Sequence, residues 1–212
     1  MTDTHARSAA HADFWFDPSC PFTWATSRWL LEAARARGFA ITWRVLSLAA
    51  LNEHRDTDPE GDTGGYLWLP VRVALAVERG HGQDDLAAFY TAYGTRVHER
   101  GADDAVKVFE EALAEAGLPG DLLRAALDDG LDDAVRASTA EGLERVDGNE
   151  VGSPIIGVTA PDGARGGVFG PVLSRVPRGE EAGRLWDGIA ALAPVRGFNE
   201  LKGGPRGDLD FS

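Results

Sequence analysis

Strand and helix patterns alternate over the first fifty residues, and this alternation restricts the fold more than any other feature. Residues 12–16 (ADFWF) are an aromatic run typical of a buried strand. A helix is predicted over 20–37, with Pro21 in its first turn and Gly38 as its stop signal. Residues 40–48 alternate apolar and polar side chains, which predicts a second strand. The sequence therefore begins with a βαβ unit.

The rest of the chain becomes helical and then returns to strands. Residues 52–65 are rich in Asp, Gly, Glu and Thr and indicate a loop, and four or five helical stretches follow over 66–146. A strand hairpin is predicted over 153–169 and a last helix over 179–192. Residues 202–212 contain several Gly and are expected to be disordered. The predicted order is βαβ, helical insertion, ββα.

Charge and composition exclude several classes of partner. The 212 residues carry a formal net charge of −13, which argues against binding nucleic acid or docking on anionic lipid through a basic face. No apolar run approaches the ~20 residues that span a bilayer. The polar N-terminus lacks the layout of a signal peptide. One cysteine cannot form an internal disulfide, so the sequence predicts a cytoplasmic protein.

Cys20, the single cysteine, is the strongest candidate for chemistry. It opens the first helix, where unpaired backbone N–H groups and the helix dipole favour a thiolate, so we expect its pKa to lie below the ordinary value of about 8.5. Thr23, one turn on, can direct its hydroxyl at the sulfur, and Phe22 offers a flat apolar surface over it. The alternative is a buried, inert cysteine.

Other residues carry weaker signals. Trp68 borders the Asp- and Gly-rich loop and is a candidate for lining a cleft. His98 lies on a predicted helix and is interpreted as an exposed surface residue. The histidines show no metal-ligand spacing, and the glycines lack the strand–GxGxxG–helix context of a nucleotide site. The sequence thus predicts neither a metal nor a nucleotide cofactor.

Several longer stretches resemble a known family. The chain is similar to the DsbA-like branch of the thioredoxin-fold proteins, and more narrowly to the actinobacterial mycothiol-dependent oxidoreductases, which include a nitroreductase. The similarity lies in residues 12–31, 46–55, 70–74, 89–98, 151–154 and 169–186. The last of these, FGPVLSRVPRGEEAGRLW, is long and unusual enough to be specific.

The resemblance implies an α/β thioredoxin fold with an all-helical insertion subdomain. Its two thioredoxin halves are expected over 1–55 and 149–201, the insertion over 56–148, and the disordered tail over 202–212.

The resemblance also implies the surroundings of the cysteine. Pro154 corresponds to the cis-proline that faces the active-site cysteine in this fold. The backbone of Ser153 beside it is then free to pair with a thiol ligand, and Pro21 adjoins the same site. Asn52 corresponds to a residue near the family's pocket, where it can hydrogen-bond a polar ligand; the alternative is a turn residue.

One departure from the family limits what the resemblance carries. The relatives have C-P-W-C, whereas this chain has Cys20-Pro21-Phe22-Thr23 and therefore no second cysteine to resolve a mixed disulfide. The first hypothesis is a monothiol oxidoreductase, in which Cys20 and mycothiol or another small thiol reduce a disulfide or an electrophilic small molecule. The second is a thiol-dependent transferase or isomerase of the kappa-class type. The third is a non-catalytic member of the family that binds a small molecule or partner through the cleft at the former active site.

Retention of the attacking cysteine favours the first hypothesis. The expected partners are a small-molecule substrate and a small thiol. A homodimer is a further possibility, since an apolar helical face can meet either the sheet or a second subunit.

Overall fold

A four-stranded sheet forms the centre of the molecule, for which the computed structural model describes residues 10–146, 151–160, 162–205 and 207–211. The strand order is β2-β1-β3-β4, with β1 parallel to β2 and antiparallel to β3, and β3 antiparallel to β4. The strands are β1 (His11–Phe16), β2 (Ala40–Val45), β3 (Ile155–Thr159) and β4 (Arg165–Phe169). This arrangement confirms the predicted thioredoxin fold.

Helix α1 (Pro21–Arg37) makes the crossover between β1 and β2 and packs on α7 (Gly179–Leu192). Both helices are predicted by the sequence, α1 from Pro21, Gly38 and periodicity, and α7 from the periodicity of its apolar face. Gly38 ends α1 in the left-handed conformation that favours glycine (φ 70°). The indole N–H of Trp29 donates to the carbonyl of Ala182 (3.1 Å), so α1 and α7 are joined by a buried hydrogen bond as well as by apolar contact.

The insertion between β2 and β3 is helical, as predicted. It contains α2 (Leu48–Asn52), α3 (Trp68–His81), α4 (Gln83–Gly94), a π-helical turn (Thr95–Glu99), α5 (Ala105–Glu115), two 3₁₀ segments (Gly120–Leu127 and Asp129–Leu131) and α6 (Asp132–Glu144). Helix α2 differs from the sequence prediction, which extends the second strand to residue 48. The strand ends at Val45 because Ser47 caps a helix there, its hydroxyl accepting from the N–H of Ala50 (3.1 Å).

The two faces of β1 pack against different helices. Phe14 and Phe16 face the main core, where Phe16 stacks on Tyr90 of α4 at a centroid distance of 4.0 Å. Trp15 points to the opposite face and lies against Gly142 of α6. A Cβ at residue 142 would stand 2.9 Å from the indole, so the glycine permits this close approach. The active-site end of β1 is therefore enclosed on both sides.

Part of the C-terminal tail is attached to the segment between β4 and α7. The N–H of Asp210 donates to the carbonyl of Ser174 (2.8 Å), and that of Gly207 donates to the hydroxyl of Ser174 (3.0 Å). Residues 207–211 thus have defined contacts, although the sequence predicts disorder over 202–212. The predicted boundary at 148/149 and residues 1–9 lie outside the described residues. No helix in the described ranges is long and apolar enough to cross a membrane.

Candidate active site

Cys20 lies at the junction of β1 and α1, as the sequence predicts. It is the residue before the first helical turn, with an extended backbone (φ −83°, ψ 115°), and its carbonyl accepts from the N–H of Trp24 (3.0 Å). The side chain is half-buried. Its sulfur lies 3.8 Å from the carbonyl oxygen of Ser153, to which the protonated thiol donates.

A chain of hydroxyl groups connects three segments around the sulfur. The N–H of Asp17 donates to the hydroxyl of Ser153 (3.1 Å), and that hydroxyl is 2.7 Å from the hydroxyl of Thr23. When the Ser153 hydroxyl donates its hydrogen bond to the oxygen of Thr23, the Thr23 hydroxyl can donate its own to the sulfur of Cys20. Thr23 is fully buried, so this orientation is not lost to water.

The loop that carries Ser153 is connected to α1 through the segment that follows β4. The Ser153–Pro154 bond is cis, which confirms the expectation from the resemblance. The carbonyl of Pro154 accepts from the N–H of Gly170 (2.8 Å), and the adjacent Gly170–Pro171 bond is also cis. The carbonyl of Pro171 in turn accepts from the hydroxyl of Thr26 in α1 (2.7 Å). These contacts fix the distance between the proline loop and Cys20.

Asp17 is a buried carboxyl that the sequence analysis missed. Its side chain has no exposed surface and accepts from the N–H of Ser19 (2.8 Å) and from that of Leu48 (2.7 Å), which opens α2. Burial raises the pKa of Asp17 to about 7, against the two backbone hydrogen bonds, and the charge of Glu60 adds to the rise. Asp17 therefore links the Cys20 loop, α2 and Ser153.

The pKa of Cys20 corrects the sequence prediction. Burial raises the pKa of this thiol above its ordinary value, because the charged form loses water; the nearby charge of Asp17 raises it further. Hydrogen bonds from the side chain and N–H of Thr23 and from the N–H of Phe22 act in the opposite direction and are outweighed. The desolvation comes from the small apolar cluster on which Cys20 packs, formed by Trp15, Leu46, Leu48 and Ile155.

His98 also differs from its sequence interpretation as an exposed residue. It lies in the π-helical turn, half-buried, and its Nε2 is 2.8 Å from the carbonyl oxygen of Pro18. A carbonyl only accepts, so Nε2 carries the proton. Burial lowers the pKa of His98, which keeps the ring neutral, and the ring stacks on Trp24 (centroids 5.9 Å apart). His98 therefore anchors the loop that leads into Cys20.

Of the remaining predicted site residues, two adjoin Cys20 and two lie on other helices. Pro21 and Phe22 form the first turn of α1, directly after Cys20. Asn52 is buried at the end of α2, and its carbonyl accepts from the N–H of Arg55 (2.9 Å). Trp68 begins α3, and its ring lies near two guanidinium groups, those of Arg72 and Arg136 (5.5 and 5.2 Å from the ring centroid). The structure therefore brings Cys20, Pro21, Phe22, Thr23, Ser153 and Pro154 together, whereas ligand-binding roles for Asn52 and Trp68 stay predictions.

The chemistry that this arrangement supports is centred on sulfur. A thiol with an apolar support, a facing carbonyl and a buried hydroxyl can form and release a mixed disulfide with an extended thiol ligand. Within the described residues, no group of three His, Cys, Asp or Glu side chains is arranged to hold a metal ion.

Comparison with solved structures supports the fold. The probable DsbA oxidoreductase SCO1869 from Streptomyces coelicolor superposes with a TM-score of 0.51 at 19% identity, over 86% of this chain and 90% of that one. The oxidoreductase DsbA from Xylella fastidiosa gives a TM-score of 0.50 at 20% identity, over 88% and 86% of the two chains. Both identities are low, so these similarities establish the DsbA-like thioredoxin fold and nothing finer.

Sequence comparison establishes the family. The uncharacterized protein Rv2286c from Mycobacterium tuberculosis is 32% identical over 195 residues, which cover 90% of this chain and 80% of that protein. The model of the Rv2466c-like family, described as mycothiol-dependent nitroreductase Rv2466c, matches residues 19–203, a range that includes the Cys20 motif and the cis-proline loop. The chain belongs to this family of mycothiol-dependent enzymes, and it is a thiol-dependent oxidoreductase with mycothiol as the thiol cofactor.

Proposed function

We propose that the protein is a monothiol oxidoreductase, in which Cys20 forms a mixed disulfide that mycothiol resolves. The observation that carries this proposal is the environment of residue 23. The resemblance to proteins with C-P-W-C implies a second cysteine at this position, but this chain has Thr23, which is buried and hydrogen-bonded to Ser153. Since Cys20 is the only cysteine in the sequence, a thiol from outside the chain has to release it.

The reaction is a pair of thiol–disulfide exchanges. The Cys20 thiolate attacks one sulfur of a substrate disulfide, forming a bond to that sulfur and expelling the other as a thiolate. A mycothiol thiolate then attacks the substrate sulfur of the mixed disulfide, which returns the Cys20 thiolate and leaves a disulfide between mycothiol and the substrate fragment. Across the two steps the substrate fragment that leaves first is reduced, and mycothiol supplies the electrons.

The raised pKa of Cys20 has two consequences for this cycle. At neutral pH only a small fraction of the free thiol is ionised, so attack becomes faster as the pH rises. A thiol of high pKa is also a poor leaving group, which makes the mixed disulfide long-lived. We therefore expect the mixed disulfide to accumulate.

The raised pKa of Cys20 also supports a second candidate function, that of a transferase or isomerase. A Cys20 that stays protonated can donate a hydrogen bond to the thiolate of a bound cofactor without being oxidised, which is the role of Ser in kappa-class enzymes. In that case, the sulfur would take the place of a hydroxyl. The alternatives differ in one property, because only the oxidoreductase forms a covalent bond at Cys20.

Intact-protein mass spectrometry after incubation with oxidised mycothiol tests the proposal. We expect one mycothiyl group on the wild-type protein and none on Cys20→Ser. Loss of the adduct on addition of reduced mycothiol supports the full cycle. An unmodified protein that binds reduced mycothiol reversibly supports the transferase, and a protein that neither reacts with mycothiol nor binds it refutes both candidates.

The cellular setting follows from the same chemistry. A thiol that must be returned to its reduced form in each cycle is best maintained in the cytoplasm. We therefore propose a cytoplasmic enzyme, which cell fractionation tests. The small-molecule substrate and the homodimer stay predictions from the sequence.

A further inference from the structure

A cavity of about 330 Å³ lies between the loop that precedes α3 and helices α4 and α5. Ser19, the residue before Cys20, borders it. Buried apolar or aromatic side chains form its floor, namely Leu67, Pro70, Tyr93, Val108 and Phe109. The volume and this apolar floor fit one aromatic ring with a short substituent.

Acidic and aromatic groups stand at the rim of the cavity. The exposed side chains of Glu60 and Asp103 line it, and the described lining residues include no Lys, Arg or His. Neither carboxylate makes an ion pair within the described ranges of the chain. Tyr66, half of whose surface is exposed (54%), presents a ring at the same rim. Carboxylates beside an aromatic face attract an ammonium group and repel a carboxylate ligand.

The cavity is connected to the reactive cysteine through Ser19. Ser19 and Tyr93 both line the cavity, and the N–H of Ser19 donates to the buried carboxyl of Asp17 (2.8 Å). Successive Cα atoms are about 3.8 Å apart, so the wall of the cavity includes the residue directly next to the reactive cysteine. Leu67 and Leu69 line the cavity, whereas Trp68 between them does not.

We propose that this cavity binds the aromatic part of the substrate and selects cationic or neutral substrates over anionic ones. The proposal rests on the function proposed above, because it assigns the cavity to the substrate of Cys20. The two rim carboxylates are exposed, so the selectivity is modest at low salt and weakens as salt rises.

Binding of three ring compounds of similar size tests the proposal: benzylammonium, benzyl alcohol and benzoate. Dissociation constants are measured by NMR titration on the full-length Cys20→Ser protein, which separates binding from chemistry. At low ionic strength we expect benzylammonium to bind roughly threefold to tenfold tighter than benzoate, with benzyl alcohol between them. At 0.5 M salt the ratio should fall towards one.

Variants locate the site. Glu60→Gln should lower the benzylammonium-to-benzoate ratio at least twofold, whereas Glu144→Gln, an exposed carboxylate on α6 away from the cavity, should leave it unchanged. Ala105 lines the cavity but is exposed, so Ala105→Trp fills the space without disturbing the core and should weaken all three probes more than fivefold.

Two results overturn the proposal: benzoate binding as tightly as benzylammonium, or probe binding that Ala105→Trp leaves intact. These failures are distinct from failure of the proposed function. Absence of a mycothiol adduct on Cys20 with normal probe binding refutes the exchange reaction alone. A normal adduct with no charge-selective binding refutes the cavity assignment alone.

Discussion

Replacement of Asp17 by Asn tests the electrostatics of the site. The pKa of Asp17 is about 7 in the folded protein, against 3.8 for an exposed Asp. Because the folded state holds this proton more tightly, its stabilising contribution is complete at low pH and is lost as the pH rises from about 4 through 7. Between pH 5 and pH 8 the loss amounts to about 3 kcal/mol. Asn does not titrate, so Asp17→Asn escapes this loss.

Urea unfolding at pH 5 and pH 8 measures the effect on both proteins. Asn offers one acceptor oxygen to the N–H groups of Ser19 and Leu48, so the variant is destabilised at pH 5. That offset does not depend on pH. His98, whose lowered pKa gives the opposite trend (stability lost as pH falls below 6.5), is present in both proteins and cancels.

The test therefore compares the stability difference between variant and wild type at pH 8 with the same difference at pH 5. The free energy of unfolding of the variant relative to the wild type should rise by about 3 kcal/mol from pH 5 to pH 8. A change of less than about 1 kcal/mol, or a change in the other direction, would mean that the two backbone N–H groups stabilise the carboxylate more than burial penalises it. The account of Asp17 would then be wrong.

Three further substitutions test the release of the mixed disulfide, the positioning of the Cys20 loop and the packing of the core. In Thr23→Cys, mass spectrometry should show no accumulation of the mycothiol adduct, since the new thiol can attack the adduct and form an internal disulfide with Cys20. Thr23→Ser, which adds no thiol, is the control. An adduct that accumulates equally in both variants contradicts this prediction. His98→Phe keeps a ring but removes the hydrogen bond to the Cys20 loop, so urea unfolding should show a loss of about 1–2 kcal/mol and iodoacetamide should alkylate Cys20 at a changed rate; a wild-type alkylation rate argues against positioning. Gly94→Ala puts a Cβ 2.2 Å from an indole and should destabilise the protein by about 1–3 kcal/mol, whereas Gly188→Ala on the open face of a helix should stabilise it by up to about 1 kcal/mol; equal effects refute the packing.

The parts of the fold that follow from local signals were predicted correctly. The last helix begins and ends at residues 179 and 192 as expected, and the first begins after Cys20 and ends before Gly38. The first helix has Pro21 at its start and Gly38 at its end, and both helices have clear periodicity, which a sequence displays directly. Helix α2 was missed because it has five residues and its signal is the single capping hydroxyl of Ser47.

The electrostatics of the site could not be predicted in the same way. A lowered pKa of Cys20 is expected from the N–H groups at the start of the helix, all of which are local. The burial that outweighs them comes from β1, β3 and the residues before and within α2, three parts of the chain that only the tertiary fold brings together. His98 likewise contacts the carbonyl of Pro18, 80 residues away. Its neighbours in sequence give no sign of this contact.

Asp17 is an intermediate case. Its position directly after β1 and three residues before Cys20 is visible in the sequence, and an Asp before Pro-Ser favours a local turn hydrogen bond. The bond to the N–H of Ser19 is of this local kind. The bond to Leu48 and the complete burial depend on where α2 packs, so the raised pKa required the structure.

The release step tests the central claim most directly, that an external thiol completes the cycle of Cys20. The mixed disulfide between Cys20 and mycothiol is purified and mixed with reduced mycothiol, and free Cys20 and oxidised mycothiol are quantified over time. The account predicts equal amounts of the two, formed at a rate proportional to the concentration of mycothiol. A release rate that does not depend on the added thiol, or an adduct that excess mycothiol leaves in place, would contradict it.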